Sequence, residues 1–200
     1  MRKVIVLTFV SLDGVMQAPG GPEEDESGAF RFGGWTVPYF DEAVGQAMDE
    51  QLSKPFDMLL GRKTYDLFAS FWPRQTDPTA AVLNDARKYV ASHKPMKLDW
   101  AKSTQLTGDV VKAIEKLKQQ DGPDLQVHGS GDFIQTLLKN DLVDELWLKI
   151  FPVTLGTGKR LFGEGTSPAA FKLRDVKTSP SGVIVASYER DGEVKTGSFA

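Results

Sequence analysis

The sequence predicts an α/β protein: a largely parallel sheet with helices on both faces and an antiparallel edge. Three observations carry this. In the first two-thirds of the chain, short β-branched or apolar runs alternate with stretches whose apolar residues recur at helical spacing. Three of the strand-like runs end in polar or basic turns, at residues 61–64, 92–94 and 129–131. The last third is rich in strand-like runs, the pattern of an antiparallel edge.

Two hundred residues fit one domain, residues 1–200, large enough to bury a proper core. A hydrophobic share of 40% and a charged share of 26% are those of an ordinary globular protein. The net charge of −3 argues against a nucleic-acid partner. With no cysteine, disulfides, thiolate catalysis and zinc-finger sites are excluded. No apolar run approaches the ~18 residues of a membrane span. The opening Arg2, Lys3 and the apolar run 4–10 superficially resemble a signal peptide, but no small-residue cleavage site follows before Asp13. A buried first strand in a cytoplasmic protein is the expectation.

In order, residues 3–10 read as a central strand that Ser11, Leu12, Asp13 and Gly14 end. A long loop from 15 to about 37 follows, with glycines that suit a mobile lid and an acidic run, 23–26, that reads as solvated. Residues 38–52 read as a helix with Pro38 in its first turn and Phe40, Val44, Ala47, Met48 and Leu52 as its apolar stripe. A strand at 56–60 leads through Gly61, Arg62, Lys63 and Thr64 into a helix whose buried side is Tyr65, Phe68, Phe71 and Trp72. A helix at 77–86 and a strand at 88–91 follow, then Ser92, His93 and Lys94, a strand at 103–106 and a helix at 109–119. Leu125, Gln126 and Val127 end the next strand. Gly129, Ser130 and Gly131 turn it into a helix that buries Phe133, Ile134, Leu137 and Leu138. A strand at 142–150, a glycine-rich loop at 155–165 and strands at 171–177 and 183–190 close the chain.

A strand that turns through glycines into a helix aims backbone N–H groups at one point, with the positive end of the helix dipole behind them. Residues 129–131 suit a phosphate or pyrophosphate on this ground; an ordinary strand-to-helix turn is the alternative. Arg62 and Lys63 at a helix start oppose its dipole, an arrangement that makes more sense with an anion between them than as two solvated cations. Ligands of such sheets bind beyond the carboxyl ends of the strands, where all three junctions fall. Familiar motifs fail. A dinucleotide fingerprint needs glycine where Ile134 stands, and a Walker loop needs glycine at Val153 and Ser or Thr at Arg160. Two histidines, His93 and His128, make no metal site; His128 reads as packed at its strand end.

Five ordered stretches carry a resemblance: TFVSLDGVMQAPG at 8–20, GGWTVPYFDE at 33–42, MLLGRKTYDLF at 58–68, VHGSGDFIQTLL at 127–138 and VDELWLKIFPVTLGTGKRLF at 143–162. Together they resemble the dihydrofolate reductase superfamily, and more closely its bacterial members related to the reductase domain of riboflavin biosynthesis, the RibD C-terminal type. The resemblance implies a three-layer α/β/α sandwich around a mixed, mostly parallel sheet that binds NADPH. Gly61, Arg62, Lys63 and Thr64 correspond to the side holding the 2′-phosphate, and Ser92 and His93 to an adenosine contact. Gly129, Ser130 and Gly131, with Asp132 and Phe133 after them, correspond to the pyrophosphate turn, whose first two residues the family joins by a cis peptide. Met16 and Ala18 fall on the nicotinamide-covering loop.

On the substrate side the resemblance implies Trp35, Phe40 and Asp13, with Asp41 as the carboxylate that orients a pterin- or pyrimidine-like edge and supports its protonation. As a bare residue, Asp41 also reads as a helix N-terminal acid, and Asp13 as a turn residue. Riboflavin reductases typically carry lysine where Val15 stands, and true dihydrofolate reductases lack the 156–162 loop. Two functions follow: an NADPH-dependent reductase of a small heterocyclic or carbonyl compound, or an NADP(H)-binding protein with little catalysis. The resemblance also implies a homodimer.

Overall fold

The computed structural model describes residues 1–199. One eight-stranded sheet runs through it: β1 (Val4–Ser11), β2 (Phe56–Gly61), β3 (Lys88–Ala91), β4 (Ser103–Leu106), β5 (Asp124–His128), β6 (Glu145–Phe151), β7 (Phe171–Thr178) and β8 (Ile184–Arg190), in the order β4-β3-β2-β5-β1-β6-β8-β7. The strands from β4 through β6 pair in parallel, and β8 and β7 add an antiparallel edge. The apolar run that opens the chain is the central strand β1, buried along nearly its whole length.

Five helices cover the sheet: α1 (Glu42–Leu52), α2 (Arg62–Phe71), α3 (Pro78–Asp85), α4 (Val110–Gln119) and α5 (Gly131–Lys139). One sheet face is largely apolar. Val4, Val6 and Val10 of β1, Leu125 and Val127 of β5 and Leu146 and Leu148 of β6 pack there against Ile114 and Leu117 of α4 and Ile134 and Leu137 of α5. Burying each such side chain contributes about 1.5–3 kcal/mol before chain entropy is counted. On the opposite face, Met58 and Leu60 of β2 and Val90 of β3 meet Tyr65 of α2 and Leu83 of α3. The three-layer sandwich follows from this two-sided burial.

Some expectations are corrected. Helix α1 starts at Glu42, because residues 37–39 form a separate 3₁₀ turn around Pro38. Phe40 therefore precedes the helix and is exposed rather than part of its stripe, and Phe71, expected inside, is 49% exposed at the end of α2. The loop at 15–37 is not a loose cover: Val15, Met16, Gln17, Ala18, Phe30 and Trp35 are all buried in it. The side-chain amide of Gln17 donates to the carbonyls of Asp25 and Ser27, and its oxygen accepts the N–H of Lys159. Asp25 pairs with Lys159, so the acidic run is tied to the 155–165 loop rather than wholly solvated.

Candidate functional site

The carboxyl ends of β3, β2 and β5 lie side by side. Gly61 is in register with Ala91, so Ser92 and His93 emerge beside Arg62 and Lys63. From the other side, the Ser130 hydroxyl accepts a hydrogen bond from the Gly61 N–H at 3.0 Å. A Cβ built on Gly61 would stand 3.3 Å from that of Phe133, and one on Gly129 3.6 Å from the Thr64 hydroxyl oxygen. One built on Gly131 would stand 3.6 Å from the Met16 sulfur. Two of the junctions and the inner end of the 15–37 loop thus meet at one place, where glycine permits close approach. Gly129 and Ser130 both adopt left-handed conformations, at φ 58° and 63°. Every peptide bond among the described residues is trans, so the Gly129–Ser130 bond is not cis; the chain turns through these two left-handed residues instead.

The helix N-termini fall into two groups. Asp41, Asp77 and Asp109 each accept a hydrogen bond from the first turn of α1, α3 and α4, at Val44, Ala80 and Lys112. Helices α2 and α5, which begin at the two meeting junctions, have no side-chain cap. Their first-turn N–H groups lack the acceptor that the other three carry, and the positive ends of both dipoles converge. Arg62 and Lys63 are exposed there; Arg62 has only a loose exposed pair with Asp66 at 3.5 Å, an arrangement that contributes little. Asp132 is exposed in the first turn of α5, whereas Phe133 is buried in the core. Ser92 donates to the Lys94 carbonyl, and His93 is exposed.

The residues expected on the substrate side are held by the protein itself. Asp41 caps α1 and also accepts the Ser181 N–H at 3.0 Å; these hydrogen bonds, the Val44 one first, hold its carboxyl below the usual range. Asp13 accepts the Ser11 hydroxyl at 2.6 Å and the N–H groups of Leu155 and Gly156, and its carboxyl is lowered to about 2, chiefly by the Ser11 bond. Trp35 is buried, donates its indole N–H to the Gln17 carbonyl at 2.8 Å and stands edge-on to Phe151. Ala18 is buried beside it in the same apolar cluster, and Phe40 stands apart at 47% exposure.

Sequence reasoning missed the polar character of the sheet face beneath α1. In register across β5, β1, β6 and β8 lie His128, Leu7, Trp147 and Ser187. One pleat further along, Phe9 stands beside Lys149 and Val185. Lys149 is 3% exposed, donates to the Gln51 side-chain oxygen and lies 5.3 Å from the Phe9 ring centre; burial lowers its ammonium to about 7. His128 packs at its strand end, as expected, between the rings of Phe56 and Phe68. Burial and the Lys149 charge lower its imidazole to about 3. The available signal was the alternation in β6: Leu146, Leu148 and Ile150 take the apolar face, which turns Trp147 and Lys149 toward α1.

This sheet order, its covering helices and its convergent strand ends define a dihydrofolate reductase-like fold. The chain belongs to the RibD C-terminal domain family, which it matches over residues 2–185. It is 28% identical over 196 residues to the uncharacterized protein YyaP of Bacillus subtilis, covering 96% of each chain. Among solved structures it is similar to a protein named for riboflavin biosynthesis from Shewanella sp. PV-4, at 24% identity and a TM-score of 0.73 over 94% of this chain and 99% of that one. It is also similar to a dihydrofolate reductase from Enterococcus faecalis complexed with NADP(H), at 11% identity and a TM-score of 0.59 over 94% of this chain and 96% of the other. At these identities the structural likenesses speak for the fold.

Proposed function

We propose that the protein is a cytoplasmic NADPH-dependent reductase of a small heterocyclic or carbonyl compound. The observation that carries this is the pair of uncapped helix starts, α2 and α5, joined by the Ser130–Gly61 hydrogen bond and flanked by exposed Arg62 and Lys63. The family and fold support a reductase-type protein, and one fold neighbour is named as an NADP(H) complex. The donor set fits a dinucleotide carrying a further phosphate. Gly129, Ser130 and Gly131 would hold the pyrophosphate on the α5 N–H groups, Asp132 following them. Arg62, Lys63 and Thr64 would meet the 2′-phosphate, with Ser92 and His93 beside the adenosine. Met16 and Ala18 would line the nicotinamide side. When bound, the cofactor supplies hydride to an electrophilic carbon; the protein binds, orients and excludes water.

A second reading, an NADP(H)-binding protein with little catalysis, is favoured by one observation: both candidate acids, Asp13 and Asp41, are spent on backbone and hydroxyl donors. On the reductase reading Asp41 positions the start of α1 and the 179–182 turn around the substrate side. Following NADPH absorbance with pterins, pyrimidines and quinones separates the two. Substrate-dependent oxidation of NADPH is expected; tight NADPH binding with no oxidation across the panel would establish the binder. We also read the working form as a homodimer that covers the exposed apolar residues of β7.

A further inference from the structure

We propose, resting on the reductase reading, that the substrate pocket is the polar sheet face beneath α1, and that Lys149 binds and protonates a carbonyl oxygen there. Three cationic side chains are buried among the described residues, and two are explained by the fold. Arg2 pairs with Asp57 and donates to the Pro123 carbonyl. Lys88 donates to the carbonyls of Asn84 and Ala101 and sits 4.1 Å from the centre of a Trp100 ring. Lys149 has the side-chain oxygen of Gln51 and, at 5.3 Å, the centre of the Phe9 ring, with no carboxylate and no backbone carbonyl among the described residues. An ammonium carries three donors, so two are left for something the fold does not supply. A buried cation left in that state costs stability, and an apolar side chain of similar size would serve packing better.

The surroundings point to the kind of ligand. Lys149 stands two strands from β5, whose end runs into Gly129 and Ser130, which is on the order of 10 Å at the usual strand spacing. On the same face a cavity of about 170 Å³ opens; Gln51, Trp147 and Val185, neighbours of Lys149, line it and stand between it and the Lys149 ammonium, and the Asp175 carboxylate lies in the wall toward β7. The ion pair between Glu50 of α1 and Lys177 of β7 stands at its rim. Gln51 lines this cavity and holds the Lys149 ammonium behind it, so a ligand that displaces the Gln51 oxygen meets a donor and a cation. An amidine edge, as in a pterin, presents donors and would meet Lys149 badly; a carbonyl oxygen presents lone pairs and gains charge as it is reduced. When hydride reaches the carbonyl carbon, the C=O π pair moves to oxygen, and oxygen takes a proton from the Lys149 ammonium. The neutral amine regains a proton from water. In sum, carbonyl, NADPH and one proton give alcohol and NADP⁺. For a quinone the same hydride and proton give the hydroquinone.

The test uses 9,10-phenanthrenequinone, 2,3-butanedione and a 7,8-dihydropterin as probes, with wild-type protein and the Lys149→Met and Lys149→Gln variants. Wild type is expected to reduce at least one carbonyl probe and not the dihydropterin. Both variants should keep NADPH affinity within twofold and lose carbonyl turnover by 100-fold or more. In wild type labelled with ¹³C-lysine, the ε-carbon signal missing from Lys149→Met should shift when the carbonyl probe is added with NADP⁺. Variants that retain turnover within threefold overturn the assignment, as does an unmoved Lys149 signal. Preferential reduction of the dihydropterin, or a wild type that binds NADPH and neither binds nor reduces a carbonyl probe, overturns it too. Failure of wild type to bind NADPH removes the reductase reading itself, and this assignment with it. Should neither variant fold, Lys149→Arg, which keeps the charge and also removes the lysine signal, assigns that signal, and the signal with the substrate panel decides.

Discussion

The Ser130 hydroxyl accepts the Gly61 N–H at 3.0 Å and lies 3.3 Å from the His128 carbonyl, to which it donates. One side chain therefore ties the start of α2 to the end of β5, elements some seventy residues apart, and leaves the first-turn N–H groups of α2 and α5 facing the same space. The turn that presents it is left-handed at both Gly129 and Ser130. Gly129→Ala meets no clash, since its Cβ would sit at 3.6 Å from Thr64, an ordinary contact. Its cost is conformational, about 1–2 kcal/mol, a fall in Tm of roughly 2–8 °C for a chain of this size. On the proposed reading, in which this turn would seat the pyrophosphate, NADPH affinity should drop by about tenfold, or ~1.4 kcal/mol. Thermal melts with and without NADPH check both effects.

Asp13 predicts an acid-labile loop. Its carboxyl is about 2 in the folded protein against an ordinary 3.8, because the Ser11 hydroxyl and the Leu155 and Gly156 N–H groups prefer it ionised. Between those values the unfolded chain binds more protons. The stability this group contributes is therefore present above pH ~4 and is lost as pH falls toward 2. Asp13→Asn should cost ~1–2 kcal/mol at pH 7, allowing for partial exposure, and nothing near pH 2. Urea unfolding at a series of pH values reads this directly; equal losses at both ends would mean the carboxylate charge is not what holds the loop.

Lys149 predicts the opposite sign. The titratable neighbour facing it is His128, neutral at ordinary pH, while Gln51, Phe9 and Val185 complete its surroundings. Its ammonium is lowered from 10.5 to about 7, so below pH 7 the folded protein bears the full penalty of a buried cation. The penalty is relieved as pH rises from about 7 toward 10.5, where the unfolded chain keeps a proton that the folded one releases. Lys149→Met should thus raise stability below pH 7 by a few kcal/mol, ~4 as an upper figure. The gain should shrink at alkaline pH. A variant destabilised at pH 6 would make Lys149 a structural residue.

Much of the fold was legible because strand and helix periodicity follow directly from which faces are buried. The order of elements, the antiparallel edge and the three junctions all come from that pattern. The limits are equally physical. Pro38 fits the first turn of a helix or a separate 3₁₀ turn, and only the cap at Asp41 distinguishes them. The 15–37 loop looked like a mobile cover because its glycines and acids are local signals. Its burial depends on Gln17 and Asp25 reaching Lys159, more than a hundred residues away. Arg62 and Lys63 stood out by opposing a helix dipole. Lys149 did not, because its isolation depends on which strands flank β6 and on Gln51 arriving from α1.

The β7 edge predicts the assembly state. Leu173 and Val176 are 48% and 50% exposed on a strand of eight residues whose outer edge pairs with no other strand among the described residues. Such an edge is a template for a partner. Light scattering after gel filtration should give twice the chain mass for wild type, and Val176→Lys should shift it toward monomer with little change in melting of the remaining fold. A monomeric wild type at micromolar concentration would remove the dimer.

The paired, uncapped starts of α2 and α5 beside Arg62 and Lys63 are tested most directly by calorimetric titration of NADPH and NADH into wild type and Arg62→Ala. Wild type should bind NADPH at least tenfold more tightly than NADH. Arg62→Ala should weaken NADPH by about 10–100-fold, the ~1.5–3 kcal/mol of a hydrogen bond to a charged group, and NADH by less than threefold. Equal affinities for the two cofactors in wild type, or equal losses in the variant, would contradict a groove built for the extra phosphate.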